Sequence, residues 1–358
     1  MKIEINTRPR GIALIIVMMV IIVLAILAGG FAYSMKVETR LARNASYDSE
    51  FEWLGRSGVE LARYIVGQQL GITTEPYDCL SQKWAGGPRG TNEIFAAISL
   101  DNNSLGNGTF SIKIIDMERK YNINMADQQA LQLALTVVGV DPAEFPAIVD
   151  SILDWRDADN DPHMNGVESE YYLGLTPPYR AKNGPIDDLS ELLLIRGIAP
   201  DMYWGSGSSN LPPVGGGPST VKSRLNIKDT PTYSVGLVDL MTTVSGRINI
   251  NTASAAVFQM VPGIDQTIAT GIIQARAGPD GVDGTEDDTP FQSANDLARV
   301  PGMSGTGVGN LQRIFDVRSS TFEVHVDVEI DGNKREMVAL LRRGTTPKDV
   351  QTLFTYWK

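Results

Sequence analysis

Carboxylates crowd two short stretches of this sequence. In DWRDADNDPHMNGVESEYY (Asp154–Tyr172), Asp154, Asp157, Asp159 and Asp161 fall close together, with Glu168 and Glu170 soon after. In GPDGVDGTEDDTP (Gly278–Pro290), Asp280, Asp283, Glu286, Asp287 and Asp288 do the same. Calcium takes roughly six to eight oxygens, which clustered carboxylates around a glycine turn supply together with carbonyls and water. Like charges packed without a counter-ion are destabilising, so a cation is a physical solution to either run. The expectation is one or two calcium ions. Magnesium, which keeps more of its water, fits less well. Neither run has the EF-hand register with glycine at its sixth position, and a solvated acidic loop is the plainer alternative for each.

Other chemistry is poorly provided for. G-x-S-x-G, P-loop and H-E-x-x-H patterns are absent. His163 and His325, the only histidines, are too few for a histidine-based zinc site, and Cys79, the only cysteine, excludes an intrachain disulfide. Paired carboxylates can hydrolyse glycosides, but these sit in turn-rich loops that favour metal holding. No enzyme is expected. The formal net charge of −11 opposes a phosphate backbone, so no nucleic acid is expected as a main partner. At 358 residues, 42% hydrophobic and 20% charged, the chain has material for two or three folded domains.

The elements that must position these loops begin with IALIIVMMVIIVLAILAGGFAY (Ile12–Tyr33), which lacks any charge and is long enough to span a bilayer. The flank MKIEINTRPRG is short and net positive, which favours a cytoplasmic N-terminus, although Lys36, Arg40 and Arg43 on the other side weaken that bias. Leu41, Phe51, Leu54, Leu61 and Ile65 then recur near helical spacing, extending the helix to about Leu70, with Gly55 and Gly58 allowing close packing. Gly108–Ile123 alternates as a strand. TFEVHVDVEIDGNKREMVALLRR reads as a hairpin turning at Asp331-Gly332-Asn333.

Between these strands lies a duplication. YNINMA (Tyr121–Ala126) returns as ININ-TA (Ile248–Ala253), each followed by two helical stretches. PIDDLSELLLIRGI (Pro185–Ile198) and PFQSANDLARVPGM (Pro290–Met303) close the copies. VPGIDQTIATGIIQAR resembles a helix-hairpin-helix, a turn that can hold phosphate at a helix N-terminus, yet Arg276, Arg299 and Arg313 are sparse among the carboxylates. Gly205–Thr220 reads as a flexible linker.

Basic residues, then Gly11, then a long apolar helix are similar to the leader of type IV pilins and pseudopilins. With the D-W-x-D-x-D, N-G, E and Y-Y block at Asp154–Tyr172, the chain resembles the type II secretion minor pseudopilin K family over nearly its full length. The resemblance implies cleavage between Gly11 and Ile12 by prepilin peptidase and methylation of the new N-terminus. Most pilins carry glutamate at the fifth mature position. Here that position is Ile16, a departure shared with pseudopilin K. It further implies a single-pass inner-membrane subunit with its bulk in the periplasm. That subunit would sit at the pseudopilus tip with minor pseudopilins I and J and the remaining pseudopilus subunits, initiating and capping the filament. The expected fold is α+β: a long helix, membrane-spanning then amphipathic, on a small antiparallel pilin-like sheet, with a large mainly helical insertion of two helix-hairpin-helix-like repeats. The divisions are a leader at 1–11, the membrane helix at 12–33, and the pilin-like helix and first strands at 34–120. Repeats at 121–204 and 248–318 follow, joined by a connecting segment at 205–247, and a C-terminal hairpin occupies 319–358. A minor pilin of a type IV pilus and a membrane-anchored DNA-binding protein of an uptake system are the alternatives.

In cells with a working prepilin peptidase, mass spectrometry of the native product should find Ile12 at the N-terminus. Retention of residues 1–11 would remove the pilin-type reading of the leader.

Overall fold

The computed structural model describes residues 11–89, 95, 97–205, 233–303 and 312–358. The leader ahead of Gly11, and most of the expected linker after Gly205, lie outside the described residues. One helix, α1 (Gly11–Gln69), runs for 59 residues, roughly 90 Å at 1.5 Å per residue. Its span Ala13–Thr39 has mean hydropathy 3.1, and 0% of it is buried. A helix apolar on every side is stable only where lipid replaces water, so this is a single-pass membrane anchor.

The second half of α1 is one-sided. Phe51, Leu54, Ala62, Ile65 and Val66 are buried at helical spacing, whereas Leu41, ahead of the first residue to reach the sheet, stays exposed. Leu61 is only partly buried. Gly55 and Gly58 face the strands: a Cβ at Gly55 would lie 2.8 Å from Met337 Cε, and one at Gly58 would collide with Val326. These glycines let the helix axis approach the sheet more closely than larger residues allow.

The sheet has five antiparallel strands, β1 (Asn103–Leu105), β2 (Gly108–Asp116), β7 (Thr321–Ile330), β8 (Asn333–Arg343) and β9 (Val350–Trp357), in the order β1-β2-β7-β8-β9. Alternation decides the register. Phe110, Ile112 and Ile114 stand opposite Val328, Val326 and Val324, and all six are buried. The β7–β8 turn uses Asp331 (φ 48°) and Gly332 (φ 80°), a two-residue turn with both central residues left-handed. β9 goes beyond the expected C-terminal hairpin. It is a third strand whose side chains are mostly exposed, so it lacks the buried alternation that marks β7.

The chain between β2 and β7 forms the insertion, and its duplication extends to individual hydrogen bonds. In the first copy, Asn122 Oδ1 accepts from Asn124 N at 2.9 Å, and the Asn124 amide exchanges two bonds with the Ile186 backbone at 2.9 and 2.8 Å. In the second, Asn249 Oδ1 accepts from Asn251 N at 2.9 Å, and Asn251 exchanges the same pair with Phe291 at 2.9 and 2.8 Å. Each copy is also closed by a two-residue parallel pairing. β3 (Tyr121–Asn122) pairs with β4 (Met241–Thr242), and β5 (Ile248–Asn249) with β6 (Phe315–Asp316). Residues 237–242 therefore complete the first copy, with Leu237, Leu240 and Met241 buried, and are not a mere connector. The copies differ where proline intervenes. α2 (Gln128–Val138) has 11 residues, while its counterpart Ala255–Phe258 has 4, because Pro262 disfavours helical geometry at Val261.

The insertion and the helix–sheet unit have separate apolar cores, and where they meet the contacts are polar. Arg343 donates to both Asp78 oxygens, with the two side chains 2% and 1% exposed. Asp116, at the end of β2, accepts from Thr252 Oγ1 (2.5 Å), Ser319 Oγ (2.6 Å) and Asn249 Nδ2 (3.2 Å). Glu118 accepts from Ser320 Oγ at 2.6 Å, and burial together with Asp116 pushes its carboxyl up to about 7.

Removing one partner of a buried ion pair strands the other. Arg343→Ala should therefore lower unfolding free energy by about 3–5 kcal/mol in denaturant titrations. Loss of under about 1 kcal/mol would mean that Asp78 is satisfied without it.

Candidate metal centre

α3 (Phe145–Arg156) sets Asp150 and Asp154 four residues apart on one buried face. Asp150 Oδ2 is spoken for, accepting from Asn165 N and Nδ2 at 3.0 Å each. Asp154 is fully buried. Its Oδ1 accepts from His163 N at 3.0 Å and meets His163 Nδ1. A Cβ at Gly166 would collide with Asp154 Oδ2, so the N-G turn is what brings the returning loop against this carboxylate.

Beyond the helix, ligand atoms of Asp157, Asp159 and Glu168 lie within 4.8 Å of one another, as do those of Asp154, Asp157 and His163. Asp154 Oδ2, Asp157 Oδ1, both Glu168 oxygens and Asn183 Oδ1 are buried without a hydrogen-bond partner. Buried acceptors are normally satisfied, and five such oxygens in one loop system, four of them carboxylate, depart from that rule together. Burial, then Asp159 and Asp154, push the Asp157 carboxyl up. Burial, then Asp154 and Asp157, do the same to Glu168. Burial leads both shifts and the facing anions add to them, while His163 offsets part of the rise at Asp157.

Two expected ligands fall outside this group. Asp161 is exposed, its backbone N–H donating to Asp159 Oδ1 at 2.9 Å, and Glu170 is exposed in the first turn of α4 (Ser169–Leu173). Conversely, His163 and Asn183 join the loop unanticipated. The Asn183 amide donates to Asp159 O, which sets its unpartnered oxygen beside the acidic loop. A lone histidine has no partner spacing to betray it, and Asn183 lies too far along the chain to be read with the motif.

The second acidic loop is satisfied internally. It follows the helix Gln266–Arg276, whose Arg276 is 4% exposed and pairs with both Asp283 oxygens at 3.0 and 2.6 Å. Asp280 Oδ1 accepts from Val282 N at 2.8 Å, and Asp287 accepts from Asp280 N and Thr285 Oγ1 at 3.0 and 2.7 Å. Asp288 accepts from Gly284 N at 2.9 Å, while the Glu286 carbonyl takes the Arg89 guanidinium at 3.0 Å. Among the described residues these five do not form a facing cluster. In the first copy the corresponding Arg156 donates to the Ile123 and Ala126 carbonyls and does not pair with its loop's carboxylates, where His163 is the basic group set against Asp154 and Asp157.

The helix-hairpin-helix turn is similarly closed to anions. Asp265 Oδ1 caps the helix Gln266–Arg276 by accepting from Ile268 N at 2.8 Å, placing a carboxylate where a phosphate would approach.

Comparison with known proteins agrees with this architecture. The family model for type II secretion system protein K matches residues 103–204, and a helix-hairpin-helix model matches residues 244–308. Type II secretion system protein K of Pseudomonas aeruginosa is 25% identical over 95% of this chain and 90% of the relative. The Klebsiella pneumoniae protein K is 24% identical over 55% of this chain, an alignment spanning 61% of that relative. One chain in the crystal structure of the GspK-GspI-GspJ complex from enterotoxigenic Escherichia coli shares the fold at a TM-score of 0.61. It is 17% identical over 88% of this chain and 99% of its own. A membrane-anchored helix on an antiparallel sheet, interrupted by a duplicated helical insertion, defines a pseudopilin-type structural subunit. In sequence and in fold the chain is similar to type II secretion system protein K. It is a component of the secretion apparatus and not an enzyme.

Gly166→Ala should cost about 1–3 kcal/mol in thermal or denaturant unfolding, because the added methyl must displace the Asp154 carboxylate or the loop. Unchanged stability would show that the loop has room to yield.

Proposed function

We propose that this protein is the minor pseudopilin at the tip of a type II secretion pseudopilus, where it initiates and caps the filament during protein export. The observation that carries this reading is the insertion between β2 and β7, seated by a polar junction on the same end of the sheet as Asp78 and Ser319. Subunits of a helical polymer pack their long helices side by side, and a subunit carrying a second core of this size has room only at an end. Ile16 supports the same position. A glutamate there would serve to compensate the terminal ammonium of a subunit ahead, and the leading subunit has no such neighbour. In this reading the short basic flank stays in the cytoplasm, prepilin peptidase cuts after Gly11, and everything beyond the membrane helix lies in the periplasm. Minor pseudopilins I and J are the immediate partners, as in the GspK-GspI-GspJ complex that holds the structural neighbour, and the remaining pseudopilus subunits follow.

Calcium belongs to the same proposal. Asp157, Asp159 and Glu168 would hold it, with Asn183 Oδ1 as an uncharged oxygen from across the loop. The ion neutralises the facing carboxylates and ties Asp157, at the end of α3, to Glu168, ahead of α4. It thereby braces the outer part of the insertion.

Two measurements test the assembly and the ion. The full chain in detergent should co-purify with minor pseudopilins I and J as a stoichiometric complex, and labelled protein should mark filament ends. Labelling along the filament would overturn the tip position. For the ion, Asp157→Asn should raise the melting temperature in chelator, since it relieves repulsion, and lower it in millimolar calcium, since it removes a ligand. The same sign in both conditions would count against a bound cation.

A further inference from the structure

His325 lies on β7 between Val324 and Val326, which join the core under α1. Alternation therefore turns His325 to the opposite face of the sheet. There its ring, 14% exposed, meets a carboxylate at each nitrogen. Nδ1 is 2.5 Å from Glu336 Oε1 on β8, and Nε2 is 2.7 Å from Glu323 Oε1 on β7. A neutral imidazole has a single N–H and would set its other nitrogen's lone pair against an anion. Two carboxylate acceptors call for two donors, which only the imidazolium provides.

This face of the sheet borders a cleft of about 430 Å³ whose other wall includes Asp239 and Ser254 of the insertion. Lys120, just beyond β2, crosses the gap and donates through Nζ to Val238 O at 2.8 Å. Glu323 connects the two cations. Burial works to raise its carboxyl, but His325, then Lys120 and Lys358, hold it below the usual range. Burial lowers Lys120, and Glu323 opposes that. The other charged groups at the cleft are Lys113 opposite His325 on β2, Arg119, Asp327 on β7, Asp239, and Lys358, whose Nζ is 3.4 Å from Glu336 Oε2. Tyr356 on β9 stays neutral, since burial pushes its hydroxyl up.

The geometry points to a proton-operated latch between sheet and insertion, in which charged His325 satisfies Glu323 and so leaves Lys120 on Val238 O. When the ring proton leaves to solvent, Glu323 draws Lys120 to itself and the bond to the insertion is given up. Burial alone would lower the proton affinity of the ring, but its bonds to Glu323 and Glu336 outweigh this and hold the pKa above the usual 6.5. Because the folded pKa is raised, the stabilisation is complete below about 6.5 and is lost as pH rises through the folded value.

His163 and His325 are the only histidines, so ring-labelled histidine in the full chain in detergent gives two NMR signals. The one that survives in His163→Gln belongs to His325. It should titrate above 6.5, and Lys120→Met should move its midpoint higher, because Glu323 then has one cation fewer. Amide exchange of residues 236–241, corrected for the intrinsic effect of pH, should be about 5–10-fold faster on the alkaline side of that midpoint than on the acid side. In His325→Gln, which carries no proton to lose, exchange should be fast on both sides. Titration at or below 6.5, a midpoint indifferent to Lys120→Met, or equal wild-type protection on both sides would each overturn the latch. So would a pH dependence of exchange that persists in His325→Gln. The titration and the wild-type exchange need no change at His325 or Lys120, so they decide the matter even if those variants fail to fold.

Discussion

A single continuous helix has to be soluble in two different media. Along residues 13–33 every side of α1 is apolar, so lipid is the only solvent that satisfies it. From Phe51 onward only one stripe is apolar, and it needs a protein surface. Because the helix is unbroken from Gly11 to Gln69, the surface that receives the second half is fixed in position relative to the membrane. The sheet supplies that surface, and Gly55 and Gly58 let the two meet at close range. The anchor therefore transmits position as well as retaining the chain.

On that platform the insertion shows one structural problem solved twice. Both copies end their second helix with an arginine and follow it with an acidic loop. In the second copy Arg276 turns to Asp283, and backbone N–H groups donate to Asp287 and Asp288, so these carboxylates find donors within the loop. In the first copy Arg156 turns to the carbonyls of Ile123 and Ala126, and the carboxylates are left facing one another. Duplication preserved the scaffold of paired asparagines while the charge balance diverged. The copy whose arginine turns away from its acidic loop is the one with orphaned oxygens.

This divergence also marks the limit of what the sequence discloses. The membrane helix, the alternation of β7 and β8, the Asp331-Gly332 turn and the duplicated asparagine motif are legible because each rests on local periodicity or turn chemistry. The crowding of Asp154, Asp157, Asp159 and Glu168 is legible as composition. Which crowd stays unpaired is not, because it depends on where Arg156 and Arg276 point, and the two arginines occupy equivalent places in their copies. Asp161 and Glu170 belong to the motif by spacing yet face solvent. His163 and Asn183 enter the loop by a path that no short-range pattern records. β9 is similarly hidden, since an edge strand with exposed side chains shows no buried alternation.

The junction between the two cores follows the same logic at larger scale. Apolar contact between insertion and sheet would hold them together but would tolerate sliding, because dispersion is nearly indifferent to register. The observed contact is instead a network in which Asp116 has three side-chain donors, Asp78 has the Arg343 fork and the Ser319 N–H at 2.9 Å, and Glu118 receives Ser320. Each of these bonds has a narrow geometric optimum, and a buried group that slips out of place loses its partner without regaining water. A subunit that must present a bulky domain at a defined angle to a membrane-fixed helix gains more from such a joint than from a larger apolar seam. The two strands that carry the network, β2 leaving the sheet and β7 re-entering it, are neighbours in full register from Gly108 to Asp116. The insertion is therefore held at both of its ends by two neighbouring strands that pack on the helix beneath them.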